Sequence, residues 1–482
     1  MTWQLSWKVF KEKPIFGWGN DNFLVAYEKH YNPDYAIYGE SWLDRAHNKI
    51  FDVLVMQGIF GVLAYLGIFV FILATLINAD KKPIYADTED KKSASISQNP
   101  HQSVSIIAII IGYFVQNLFV MDQIVSDITF FAMVGFIIFI SKQERVISKQ
   151  EIVISKQELV NRNQKSVLVT SSLLLIPIFI LGYSLYSYNY IPYIQAKAFN
   201  EAKSIEIKYA GLIEKKLKEE AMQPYNFSQF NLRTYIVDYY YNYQSHIFEI
   251  DRLKPLSDFF VSLVSEVIQK EPYDVRIFIR KAQMLQSMAI NNANLYKEAE
   301  DSMKQAIELA PNRQELYYNL AFDLLGQEKF QEAVEASIKA IELNPNVARA
   351  HYHLAFVLAV IGSQNENEII EEMEIANSLT PDFSGLPAGD HDMIALVYSR
   401  IGRSDKVAEL VKRSIDMQLS IRFLPIYYEE ALGYFAAMRD VDNFIKTAKD
   451  ARNYYLHLKD DMDVLIDLAE KGNWEIINSL GK

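Results

Sequence analysis

Ala306-Ile-Glu-Leu-Ala-Pro311 returns 34 residues later as Ala340-Ile-Glu-Leu-Asn-Pro345, and Leu379-Thr-Pro381 follows 36 residues further on. This is the tetratricopeptide period, in which each repeat is one pair of helices. Between the prolines, Leu320, Ala321 and Leu324 fall in one helix and Phe330, Ala333 and Ala340 in the next. The alanines let the two helices approach closely, and proline, which lacks the N–H a helix needs, ends the second. The preceding unit reads Ala282, Leu285, Ala299, Ala306 and Pro311, with an insertion at Asn291–Leu295. The following one reads Leu354, Ala355, Leu358, Ala376 and Pro381, and a degenerate fourth shows Ala395, Tyr398, Gly402 and Val411.

Repeats are therefore expected over 275–419, a helical cap over 420–482 and a helical connector over 189–274. In a stacked solenoid the inner helices present side chains to a protein partner. Tyr317, Asn319, Arg349 and Tyr352 are the candidates for that role, and a rigid spacer without a ligand is the alternative.

Upstream the pattern changes. From Val53 to Ala79 no residue is charged, and these 27 positions, at about 1.5 Å each, exceed the ~30 Å hydrocarbon core of a bilayer. Further spans are expected at about 103–121, 123–141 and 166–188, which makes the chain an all-α protein with polytopic membrane helices ahead of the helical solenoid. Asp127 lies near one end of the third span, where hydration is the simpler reading, and Pro177 predicts a kink in the fourth. Tyr183, Tyr186, Tyr188, Tyr190 and Tyr193 suit an aromatic belt at the membrane surface.

Basic residues set the expected orientation. Lys81, Lys82, Lys91 and Lys92 lie between the first two spans, and Lys142, Arg145, Lys149, Lys156, Arg162 and Lys165 between the last two. The positive-inside rule makes both loops cytoplasmic, which puts residues 1–52 and the repeats outside the cytoplasmic membrane. The loop from Ile140 carries Ile-Ser-Lys-Gln-Glu three times at a seven-residue spacing, read as a tandem duplication extending a membrane helix rather than a coiled coil.

Residues 1–188 hold 16 Lys+Arg and 16 Asp+Glu, so the net charge of −12 sits on the second half. An acidic, tyrosine-rich half argues against a nucleic-acid partner. With no cysteine the chain has no disulfide framework and no thiolate metal site. No Gly-rich phosphate loop, nucleophile arrangement, zinc spacing or dinucleotide fingerprint is present, so neither cofactor nor metal is expected. Asp390-His391-Asp392 has the chemistry of metal ligands but lacks a fourth partner.

His47-Asn48, nine residues, and Gly58-Ile59-Phe60-Gly61 run without a break into the uncharged apolar span. That places a titratable imidazole where a membrane helix meets water. Asn48 also suits a helix N-cap, and Gly58 and Gly61 suit close helix packing. Arg45 has the planar donors that phosphate oxygens accept, with Asp44 or lipid phosphate as alternative partners.

The stretch Trp3-Gln-Leu-Ser-Trp7-Lys-Val-Phe-Lys-Glu-Lys-Pro14-Ile-Phe-Gly17-Trp-Gly19-Asn-Asp-Asn22-Phe23, with Asp44-Arg45-Ala46-His47-Asn48 and Gly58-x-x-Gly61, resembles the C-terminal part of the O-antigen ligase and polymerase family. The resemblance covers about residues 1–141. It implies a metal-independent glycosyltransferase that moves a glycan from a polyprenyl diphosphate carrier to an acceptor hydroxyl outside the cytoplasmic membrane.

By the resemblance, His47, Arg45 and Asn48 are the catalytic candidates, with His47 as the acid or base or as a positioning group. Lys49 and Asp44 are the substrate-binding candidates. The expected partners are the lipid-linked glycan, membrane lipid and a protein held by the repeats. The family's leaving-group arginines lie upstream of the tryptophan that Trp3 matches, so the chain is expected to be an N-terminally truncated member that is inactive alone. The competing expectation is a membrane-anchored interaction protein whose ligase segment is an inactive remnant.

Overall fold

The computed structural model describes residues 2–38, 42–80, 100–117, 130, 135, 179, 182–224, 229–243, 245–248, 250–362, 366–380, 386–419, 421 and 423–480. Among these residues every regular element is a helix. The chain divides into two compact units, one of residues 1–30 with 42–236 and the other of residues 31–41 with 237–482.

In the first unit α1 (Thr2–Phe10) and α2 (Phe23–Lys29) precede α3 (Lys49–Asp80) and α4 (Pro100–Asn117). α1 lies on the start of α3, with Trp3 stacked on Phe51 at 5.7 Å and Phe10 packed against Val53, Leu54 and Val62. Further along, Phe69 and Ile72 of α3 bury against Ile110 of α4.

Among the described residues, one helix, Lys49–Ala74, is long and apolar enough to cross a membrane. It is not continuous. Gly58 has φ 67° and ψ −162°, so the expected unbroken run from the His47 motif into the span is corrected to two helices meeting at Gly58. The second piece, from Ile59 to Asp80, still measures about 33 Å, enough for a bilayer core. The expected span at 123–141 apart from residues 130 and 135, most of the one at 166–188, and the Ile-Ser-Lys-Gln-Glu repeats lie outside the described residues. Tyr183, Tyr186, Tyr188, Tyr190 and Tyr193 are all exposed.

The second unit is a run of antiparallel helix pairs. Val275–Ala289 pairs with Leu295–Leu309, Gln314–Leu325 with Phe330–Leu343, Ala348–Ile361 with Glu366–Leu379, and Ala388–Arg400 with Ser404–Asp416. Two more pairs follow, Pro425–Met438 with Val441–Tyr454 and Lys459–Glu470 with Trp474–Leu480. Ala282, Ala299, Ala306, Ala333, Ala340, Ala355, Ala376, Ala395 and Ala408 are fully buried, because a larger side chain at these crossings would hold the paired helices apart. Gly326 serves the same end between repeats: a methyl group there would meet the Tyr296 ring at 2.4 Å. Asp274 and Asp440 cap their helices by accepting from the backbone N–H groups of Arg276 and Asn443.

Candidate functional site

A helix broken at one glycine leaves backbone donors and acceptors without intrahelical partners, and a buried break must satisfy them elsewhere. Here the loop between α1 and α2 supplies the partners. Ile59 N–H donates to the Pro14 carbonyl at 2.9 Å, while Trp18 N–H and Gly19 N–H donate to the Val55 and Met56 carbonyls at 2.9 and 2.8 Å. The approach is backbone to backbone. A methyl group on Gly17 would lie 2.4 Å from the Met56 carbonyl carbon, and one on Gly58 would lie 2.3 Å from the Ile15 oxygen. The expectation that Gly58 serves helix packing is corrected: it admits a loop, and its positive φ suits a residue without Cβ.

Trp18 anchors this loop. Its indole N–H donates to the Val9 carbonyl at 3.1 Å, and the Lys13 and Lys29 ammonium groups stand 4.2 and 5.3 Å from its ring. Lys29 and His30 both pair with Glu12, at 2.8 and 2.6 Å. The Lys29 hydrogen bond leads in holding the Glu12 carboxyl below its usual range, while burial pushes the His30 imidazole down against the pull of Glu12.

The break opens beside a cleft of about 460 Å³. Asn20, Asp21, Arg45, Lys49 and Gln57 line its polar part, and Ala64, Tyr65, Ile68, Phe69, Tyr113 and Phe130 its apolar part. Arg45 donates to Asp21 at 2.7 Å and to the Met56 sulfur at 3.2 Å, and Gln57 donates to Asn20 at 2.9 Å. The cleft thus joins a charged end to an aromatic and aliphatic channel beside the apolar helix.

The candidates named from the sequence divide between distinct places. Arg45 and Lys49 line the cleft. Asn48 is buried and accepts from the Ile50 and Phe51 backbone N–H groups at 3.0 and 3.3 Å, the geometry of an N-cap. His47 is exposed in the turn before α3, with φ 55°, and does not line the cleft. Asp44 is exposed, and the acid that pairs with Arg45 is Asp21. The turn is held from both sides, since Trp3 donates to the Ala46 carbonyl at 3.1 Å and Ala46 N–H donates to Asp52 at 2.6 Å. Asn20, Asp21 and Gln57 join the site only in space. Asn20 and Asp21 left a trace only in the Gly17-Trp-Gly19-Asn-Asp-Asn22 run, and Gln57 only as the last residue of the nine between Asn48 and Gly58.

The repeat candidates fare differently. Tyr352 is fully buried and donates to Asn377 at 3.0 Å, so it is a core residue and presents nothing to a partner. Arg349 is drawn inward by Asp390, at 2.6 Å, and lies over the Tyr318 ring at 5.1 Å. Tyr317 and Asn319 are half-buried and donate to the Pro311 and Glu315 carbonyls at 2.9 Å. Among the described residues no group of three or more acidic or histidine side chains is arranged to hold a metal.

No curated protein matches the chain. Solved structures similar to it include MamA, at 23% identity over 35% of this chain and 91% of that one with a TM-score of 0.26. A tetratricopeptide repeat protein from Parabacteroides merdae aligns at 15% identity over 57% and 99% of the two chains, with a TM-score of 0.34. Yeast Tom70 aligns at 11% identity over 98% and 85%, with a TM-score of 0.40. The family model described as O-Antigen ligase matches residues 1–66, the stretch that carries α1, α2, the Gly58 break and the polar part of the cleft.

Proposed function

We propose that this chain is a membrane glycosyltransferase of the O-antigen ligase type, transferring a glycan from a polyprenyl diphosphate to an acceptor hydroxyl on the outer face of the cytoplasmic membrane. The observation that carries the reading is the two-ended cleft, whose charged and apolar linings match a substrate that is itself half diphosphate and half hydrocarbon. Arg45 is the group suited to the diphosphate. Its present partner, Asp21, is mostly exposed, and a diphosphate offers stronger charge-assisted, bidentate acceptors for the same guanidinium.

In the reaction the acceptor oxygen forms a bond to the anomeric carbon as the bond from that carbon to the phosphate oxygen breaks. The acceptor proton passes to a base, and the diphosphate leaves with the electron pair. Arg45 and Lys49 offset the charge that grows on the leaving group. His47, between them in sequence and open to water, is the group we assign to take the proton from an acceptor arriving from the solvent side, a role its residue type and exposure support.

A photoreactive polyprenyl diphosphate tests this reading on the full chain in membranes. Labelling is expected on residues that line the cleft, and Arg45→Ala is expected to reduce it about tenfold or more, the scale of lost hydrogen bonds to a charged group. Labelling that ignores Arg45 and falls outside the cleft would overturn the reading in favour of a membrane-anchored interaction protein.

A further inference from the structure

Residues 31–41 are counted with the repeat unit, although their neighbours in sequence, through His30 and from residue 42, are counted with the other. Within that unit Tyr31 is 1% exposed, and the Arg313 guanidinium, itself fully buried, lies 4.7 Å from its ring centre. Three residues on, Asp34 accepts from the Asn344 side chain at 3.1 Å. Tyr35 and Ala36 are buried beside them, with the Tyr35 ring set edge-on to Tyr31.

Arg313 and Asn344 hold equivalent places. Each lies in a turn between one repeat and the next, Arg313 directly before the helix Gln314–Leu325 and Asn344 directly after the helix Phe330–Leu343, and Gln314 ties the two turns together by donating to the Ala340 and Asn344 carbonyls at 2.6 and 3.1 Å. The bound segment is itself shaped for this edge. Pro33 presets its backbone, the Asn32 side chain accepts from Asp34 N–H at 3.1 Å, and Tyr35 N–H closes the turn on the Asn32 carbonyl at 3.0 Å. The turn holds the aromatic ring and the carboxylate at a fixed separation, one facing a cation and the other an amide donor.

We propose that Arg313 and Asn344 form a peptide-recognition site of the repeats, selective for an aromatic residue followed three positions later by an acid in a proline turn, and filled here in cis by Tyr31–Asp34. The site does not rest on the glycosyltransferase reading. It assigns the repeats a ligand chemistry, and it makes the chain's own segment the competitor of any external peptide of the same kind.

The full chain has no cysteine, which gives a clean first test. With Asp34→Cys and Asn344→Cys together, a short bis-maleimide should link the two positions within one chain, and absence of that link would overturn the contact. In the second test a fluorescent peptide of residues 31–38 is titrated onto wild type and onto the Tyr31→Ala, Asp34→Ala chain, whose helical content is checked by circular dichroism. The doubly substituted chain should bind the peptide at least tenfold more tightly than wild type. Adding Asn344→Ala, or exchanging the peptide's tyrosine and aspartate for alanine, should abolish the gain. Equal binding by wild type and the variant, or equal binding of the alanine peptide, would refute the site.

Discussion

A side-chain carbon on Gly58 would stand 2.7 Å from the backbone nitrogen of Gly17, and both glycines hold a positive φ, 67° and 71°. The two backbones are therefore in direct contact at the point where the apolar helix breaks. Gly58→Ala is expected to lower stability by about 2 kcal/mol or more, because the strained φ and the clash with immobile backbone act together. Gly67→Ala, where a methyl group meets nothing within 4 Å, is the control and should be neutral or slightly stabilising. Thermal unfolding of the purified protein in detergent compares the two. Equal midpoints would show that the loop does not hold the break.

Neighbouring residues in the His47 turn should fail in different ways. In a protein that transfers glycan, with the family's upstream part supplied, His47→Ala is expected to reduce transfer about a hundredfold, the scale of a positioned acid or base, with protein level and insertion unchanged. Asn48→Ala should instead cost about 1 kcal/mol of stability, recovered by Asn48→Ser, because its side chain caps α3. Transfer assays in cells, paired with unfolding measurements, separate the two effects. A loss of transfer in Asn48→Ser as deep as in His47→Ala would give Asn48 a chemical role as well.

Reporter fusions at Asn20, Thr88, Val153 and Gly326 address the sidedness. The basic residues of the two loops that the sequence places between spans are expected to hold Thr88 and Val153 in the cytoplasm, with Asn20 and Gly326 outside. A cytoplasmic signal from Gly326 would end the extracytoplasmic reading of the repeats.

Acid should weaken the repeats through His353, which stacks on Tyr318 at 4.2 Å. Burial pushes its imidazole down to about 4, with Asp390 opposing and Arg349 reinforcing the shift. The unfolded chain, with a pKa of about 6.5, then takes up a proton that the folded chain refuses. The stability this ring contributes is complete above about pH 6.5 and falls as pH drops toward 4, by up to about 3 kcal/mol. Asp323 has the opposite slope: burial raises it to about 8, so its folded form keeps a proton that the unfolded form loses. The measurement is therefore the difference between wild type and His353→Phe in denaturant titrations from pH 7 to 4. Parallel pH profiles would exclude His353 as the source.

The repeats were legible because their signal is local and periodic. A small residue is needed wherever two adjacent helices cross, and a proline wherever a pair ends, so Ala306, Pro311, Ala340 and Pro345 announce the solenoid without reference to the rest of the chain. The apolar run after Val53 was legible for the same reason, since length and absence of charge belong to the segment itself. The positive φ of Gly58 was not, because it depends on a loop some 40 residues earlier entering between two turns of helix. Asn20, Asp21 and Gln57 reach Arg45 and Lys49 only through that entry. In the repeats, helical periodicity located Tyr352 and Arg349 but did not show which way they face. Packing against Asn377 and Asp390 turned both inward, and tertiary structure set Arg313 and Asn344 against a segment about three hundred residues upstream. Sequence alone determined the paired helices of the repeats and the apolar run after Val53, because these signals are short-range. Only the tertiary structure decided which residues share a site, because that depends on contacts between segments far apart in the chain.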